Sequence, residues 1–253
     1  MSGHSKWSTI KHKKGVLDVR RGRLFTKLAR EIAVAAREGG SDPDGNVRLR
    51  LAIERAKQAN MPYDNIARAV NRGSGTGDDS AALVSVVYEG YGPGGAAILL
   101  EALTDNRNRI VSEVRGVFTR SGGSLGESGC VSWLFESRGV VAVDIVSTEM
   151  AEELALAAID AGAEDFLIED GILEIYSSPS TLGNIRQTIQ NCGAAVSSAE
   201  LSMVPKSTVS LGEREAGQTL KLLESLEELD DVQRVYTNAD FPNTVLEQYR
   251  VEA

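Results

Sequence analysis

Only two cysteines, two histidines and six prolines occur in 253 residues, and aromatic side chains make up 5% of the chain. Cys130 and Cys192 form no Cys-x-x-Cys pair, and His4 and His12 both sit near the N-terminus. These scarcities argue against a disulfide framework, a zinc ribbon and a Ser-His-Asp constellation, and they suit a reducing compartment. Both cysteines are expected as small core or near-core residues. No run approaches the ~20 apolar residues that cross a bilayer, and the opening Met-Ser-Gly-His-Ser-Lys-Trp has no apolar leader segment. A cytoplasmic chain without membrane contact is therefore expected. With 42% hydrophobic residues at this length, two or three domains are expected.

The net charge of −9 conceals a strong asymmetry. Residues 1–75 hold sixteen Lys and Arg against seven Asp and Glu, a balance of +9, which leaves eleven against twenty-nine, or −18, for the rest. One end attracts polyanions and the other repels them. A chain so divided docks on phosphate by its head while its body faces away. Ordinary solvation of helical faces is the plainer account of a charge run, but the first fourteen residues carry four lysines and no acid.

Residues 1–15 show no periodicity and read as a flexible basic tail. Within it Lys6, Lys11, Lys13 and Lys14 are phosphate-contact candidates, and His12 suits a phosphate or base contact better than a metal site. Trp7 either packs back on the domain or stacks on a base. A three-helix domain is predicted over 16–76. Its first helix spans about 16–38, ends at Gly39-Gly40, and carries an apolar stripe of Leu24, Leu28, Ile32 and Ala35. Arg23, Lys27 and Arg30 follow the same spacing on an adjoining face, joined by Arg20 if the helix persists through Gly22, and Arg21 is a further nucleic-acid-contact candidate. The second helix, with capping candidates in Ser41-Asp42-Pro43-Asp44, should run to about residue 59, apolar on two faces. The third starts near Pro62 and ends at Gly73.

After a polar, glycine-rich linker the pattern turns to α+β. Strands are predicted over 82–89 and 95–103, a helix over 107–121, and a closing strand over 131–135. Residues 139–199 then read strand, helix, strand, strand, helix, strand, the βαββαβ ferredoxin-like order. A strand near 203–210, a helix over 213–228 and a strand over 232–237 complete the first sheet unit. The expected layout is a discontinuous α/β domain, 77–137 plus 203–253, with a ferredoxin-like domain, 138–202, inserted into it.

Catalytic signals are weak. Glu89-Gly90-Tyr91-Gly92-Pro93-Gly94-Gly95 lacks the Lys-Ser/Thr of a phosphate-binding loop and leads into a strand, so a hairpin turn is the better reading. Thr104-Asp105-Asn106-Arg107-Asn108-Arg109 lies where a strand passes into a helix. Arg107 and Arg109 are candidates for a secondary anion contact there, the alternative being Asp105 as a helix cap with the arginines in local ion pairs. Nothing calls for a cofactor, a metal or a small-molecule substrate, and a non-enzyme is expected.

Several segments together resemble the YebC/PmpR family: Gly3-His4-Ser5-Lys6-Trp7, Ile10-Lys11-His12-Lys13-Lys14, Arg21-Gly22-Arg23-Leu24-Phe25-Thr26-Lys27-Leu28-Ala29-Arg30-Glu31-Ile32, Asn60-Met61-Pro62, Tyr88 to Gly95, Leu103 to Arg109, and Gly122-Gly123 to Glu136. That resemblance implies a three-domain bacterial regulator of transcription that binds DNA. It equally implies kinship with bacterial and mitochondrial factors that assist translation on the ribosome, including through proline-rich stretches. The tail departs from many relatives, which carry Arg and Ala near Lys11-His12-Lys13-Lys14. Three readings follow: a DNA-binding regulator, a translation factor that binds ribosomal RNA, and a scaffold whose acidic domains bind a protein.

Overall fold

Three helices open the computed structural model, which describes residues 18–74, 83–169 and 171–252. They are α1 (Asp18–Gly39), α2 (Val47–Gln58) and α3 (Tyr63–Gly73). α1 runs unbroken through Gly22. Of its predicted stripe, Leu28, Ile32 and Ala35 are buried against Leu49, Ala52, Ala56, Ile66 and Ala69, whereas Leu24 stays 37% exposed. Small residues let the helices approach closely: a Cβ on Gly73 would lie 2.2 Å from the Ala33 carbonyl oxygen.

α2 begins later than the capping candidates suggested. Asn46 is its N-cap, accepting the Leu49 amide on Oδ1 at 3.0 Å. Its Nδ2 donates to the carbonyls of Ala35 and Gly40 at 2.8 Å each, so one buried amide closes α1 and opens α2. Asp42 has no donor for that double task; it accepts the Asp44 amide in a turn of its own.

The first sheet is antiparallel throughout, with β3 (Ser124–Leu125), β1 (Val84–Tyr91), β2 (Ala97–Thr104) and β9 (Val232–Thr237) in that order across it. β1 (Val84–Tyr91) and β2 (Ala97–Thr104) form a hairpin whose turn holds Gly94 and Gly95 at φ 72° and 79°, a conformation that glycine tolerates. α4 (Arg107–Arg120) and β3 (Ser124–Leu125) follow. The core of this unit joins Ile98, Leu100, Ile110 and Phe118 to Leu220, Leu223, Val232 and Phe241 from far along the chain. Those later residues belong to α7 (Glu213–Glu227), β9 (Val232–Thr237) and the segment after it, where β10 (Ala239–Asp240) pairs in parallel with β8 (Val209–Ser210) before α8 (Asn243–Glu252).

Between them lies the second sheet: β4 (Phe135–Asp144), α5 (Thr148–Asp160), β5 (Ala163–Glu169), β6 (Ile172–Ser177), α6 (Leu182–Asn191) and β7 (Val196–Pro205). Its order β5-β6-β4-β7, antiparallel throughout, is the ferredoxin-like arrangement that the element order predicts. The chain enters at Phe135 and leaves at Pro205, which are register partners, so the unit's two ends are adjacent as an insertion requires. The strand predicted over 131–135 does not form. The amides of Val131 and Ser132 each donate at 2.7 Å to the Glu89 carboxylate, Ser132–Leu134 makes a 3-10 turn, and Phe135 opens the second sheet instead. The strand predicted near 203–210 is likewise divided, its first part ending β7. Cys130 is half-buried against the cluster of Leu99, Val131 and Phe135, a near-core position as expected, whereas Cys192 departs from expectation, exposed at the C-cap of α6.

Candidate nucleic-acid interface

Helical spacing puts Arg23, Lys27 and Arg30 along one flank of α1, and the fold divides that row. Arg23 is exposed. Lys27 Nζ donates to the carbonyl of Glu227, the last residue of α7. Arg30 Nη1 donates to the Asp230 carbonyl at 2.5 Å and to Asp231 Oδ1 at 2.8 Å. The final carbonyls of a helix lack intrahelical partners and carry partial negative charge, so Lys27 closes the end of α7 while Arg30 holds the turn that follows it.

Asp231 is the meeting point. Arg109 Nη2 reaches its Oδ2 at 2.6 Å and Asp105 Oδ1 at 2.7 Å, and Thr104 Oγ1 donates to Oδ2 at 2.7 Å. Burial works against the Asp231 anion, but the bonds from Arg109 and Thr104 and the charge of Arg30 prevail and hold the carboxyl below its ordinary range. The bonds to Asp231 and Asp105 in turn keep the Arg109 guanidinium charged, above its ordinary value. Asn106, not Asp105, caps α4, accepting the amides of Asn108 and Arg109 at 3.1 and 3.0 Å. Arg107 is exposed in the first turn of α4.

A second charged cluster lies where the three units meet. Arg55 on α2 contacts Glu31 on α1 at 3.1 Å and Glu200 on β7 at 3.4 Å. Arg234 on β9 contacts the same two carboxylates at 3.4 and 3.6 Å, completing a ring of alternating sign. Burial opposes the charge on Arg234, yet the Tyr236 hydroxyl and the Glu200 and Glu31 carboxylates raise its affinity for the proton above the ordinary value.

The head also presents cations that the spacing argument passed over. Arg50 and Lys57 on α2 and Arg68 and Arg72 on α3 are exposed, and Tyr63 at the start of α3 is 75% exposed. Arg37 and Arg72 line a cavity of about 480 Å³ between the ends of α1 and α3, where Arg37 also donates to the Leu83 carbonyl. An aromatic residue directly after Pro62 at a helix start was the legible signal for Tyr63. Nothing local marks the other cations. Lys6, Trp7, Lys11, His12, Lys13 and Lys14 lie outside the described residues, as do the side chains of Arg20 and Arg21. Among the described residues no three His, Cys, Asp or Glu side chains gather to hold a metal ion, and no helix is long and apolar enough to cross a membrane.

These features define a class of protein: one helical and two sheet-plus-helix units packed together, a cationic helical head set against an acidic body, with ion pairs across the seams. The chain belongs to the TACO1/YebC family, matching its N-terminal domain over residues 5–76 and its second and third domains over residues 83–239. It is 54% identical over 253 residues, all of both chains, to a probable transcriptional regulatory protein of Dehalococcoides mccartyi. A probable transcriptional regulatory protein of Moorella thermoacetica is 52% identical over 250 residues, 98% of this chain and 99% of that one. The crystal structure of a conserved hypothetical protein from Aquifex aeolicus, 48% identical, superimposes with a TM-score of 0.83 over 92% of this chain and 96% of its own.

Proposed function

We propose that this chain is a non-enzymatic, cytoplasmic regulator of gene expression that grips DNA through its basic head and tail. The observation that carries the reading is the charge division, +9 over residues 1–75 against −18 over the remainder. The names of its relatives agree in kind, since they are called probable transcriptional regulatory proteins. Further support comes from α2 and α3, which are joined by only four residues with Asn60 at φ 56°, the spacing of a helix-turn-helix pair. α3 carries Tyr63, Arg68 and Arg72 outward. Lys6, Trp7, Lys11, His12, Lys13, Lys14, Arg20, Arg21 and Arg23 form the primary contact, with Arg107 as a secondary one. Lys27 and Arg30 serve it by fixing the head against Asp231 and the end of α7, and Arg109 holds the Asp231 carboxylate that Arg30 meets.

The test is a mobility-shift titration of promoter and scrambled duplexes across salt. Replacing Lys11, Lys13 and Lys14 with Ala should weaken binding and reduce the salt slope by about 1 for each phosphate no longer neutralised. Normal binding by the triple variant removes the tail from the interface, and equal affinity for both duplexes removes sequence-specific regulation. The Trp7-and-lysine tail also favours a second reading, ribosomal RNA, whose unstacked bases accept aromatic stacking. Cosedimentation with ribosomes during stalled translation separates the two.

A further inference from the structure

The inserted unit carries a surface that the basic head does not use. β5 is an outer strand of the second sheet, paired on one side only. An outer strand offers a row of backbone donors and acceptors to another chain. The amide of Phe166 donates to Oδ1 of the adjacent Asp165 at 2.8 Å, a bond that a docking carbonyl replaces.

Beside that row runs an apolar strip. Phe166 and Ile168 stand opposite Ile175 and Leu173 of β6, both fully buried beneath the helices. Directly opposed residues share a face, so Phe166 and Ile168 lie on the helix-bearing side at its open margin, 38% and 36% exposed. α5 leaves Leu156 and Ile159 65% and 46% exposed. The α6 side chain of Asn184 donates to the carbonyl of Ala161, the C-cap of α5, which marks the flank of α5 nearer α6. At 3.6 residues per turn, Ile159 falls on the other flank, toward the margin of β5, whereas Leu156, two positions from the buried Leu154 and Ala158, turns away from the sheet. Contiguous exposed apolar residues of this kind mark interaction sites more often than scattered ones do.

The charge around the strip selects the occupant. Residues 139–202 contain eleven Asp and Glu and a single base, Arg186, which pairs with Glu54 of α2 at 2.5 Å. Glu152, Glu153, Asp160, Glu164 and Asp165 are exposed on α5 and β5, with Arg138 approaching Glu164 at 3.7 Å. Such a margin repels nucleic acid, and it repels the same margin of a second copy. We infer that the β5–α5 margin receives an extended lysine- or arginine-rich segment of a protein partner, added as a fifth strand with its alternate apolar side chains on Phe166, Ile168 and Ile159. Side chains alternate across a strand, so the partner's cations fall beside Asp165 and Glu169 on the opposite face.

The probe is a capped nine-residue peptide of alternating valine and lysine, titrated into the isotope-labelled full chain and followed by amide chemical shifts. Shifts should concentrate in 156–169. Ile159→Glu, Ile168→Glu and the double change Glu164→Lys with Asp165→Lys should each raise Kd about tenfold or more. Both Ile159 and Ile168 are tested because Ile159, the more exposed, keeps the experiment valid if the strand variant folds poorly. A peptide methylated on alternate backbone nitrogens should lose binding. Absence of binding at millimolar peptide, shifts centred elsewhere, or equal affinity for the methylated peptide would each overturn the inference. So would sedimentation showing a dimer that Ile159→Glu dissolves, because the margin would then belong to a second copy.

Discussion

Two carboxylates illustrate how single residues organise this molecule. Glu89 accepts the amides of Gly129, Val131 and Ser132 at 2.7 Å each, and these bonds outweigh the burial that opposes its charge, holding its carboxyl below the ordinary range. Glu89→Gln puts an NH2 group where one oxygen accepted, leaving at least one backbone donor unpaired. The expected cost is about 2 kcal/mol in a urea melt, with altered emission from Trp133, whose Nε1 donates to Cys130 in the same loop. Asp231 follows the same logic with arginine partners. Its folded pKa is depressed, so its stabilisation is complete above its ordinary value of 3.8 and disappears as pH falls through the lower folded value. Asp231→Asn should therefore lower Tm at neutral pH and flatten its decline below about pH 4. An unchanged acid profile means that Asp231 does not link the units.

At the scale of elements, α1 serves two purposes along one flank. Arg23→Ala should weaken polyanion binding, with a salt slope smaller by about 1 and no change in Tm. Arg30→Ala should do the reverse, removing the bonds to Asp230 and Asp231 and lowering Tm while leaving the salt slope nearly intact. Paired thermal melts and salt titrations decide it; identical behaviour of the two variants would show that the flank is undivided. Helical spacing made this row legible, because the period puts the residues together whatever they touch. Their destinations were not legible: Glu227 and Asp231 are 200 and 201 positions away from their partners in sequence. The misplaced strand over 131–135 has a similar cause. Its apolar residues suit a strand, but the distant Glu89 takes its amides.

In the whole molecule the ring of Glu31, Arg55, Glu200 and Arg234 joins helices α1 and α2 to both sheets. Removing one member of a partly buried cluster leaves like charges facing one another. Arg234→Met should loosen the three units, seen as a larger radius of gyration in X-ray scattering and faster proteolysis between them. Adding Glu31→Gln to that variant should recover part of the loss. If Arg234→Met scatters like the parent, apolar packing alone sets the arrangement. Arg234 also donates to the Leu201 carbonyl at 2.6 Å, so the variant removes a backbone tie as well as a charge.

Element order, the ferredoxin-like unit, the glycine hairpin and the charge division follow from the sequence alone. Each depends on local periodicity, turn chemistry or simple counting, and these act within a few residues or over a whole segment. The helix over Asn243–Glu252 is not legible there because its ten residues give too short a pattern, and Val245 and Leu246 acquire their core only from the first sheet unit. Asn46 as a cap, Glu89 as the anchor of a loop, the assignment of Lys27 and Arg30 to a seam, and the pairing of Arg109 with Asp231 were decided by tertiary structure. A side chain with several donors or acceptors is satisfied by whatever the fold brings within about 3 Å, and that proximity is a property of the packed chain.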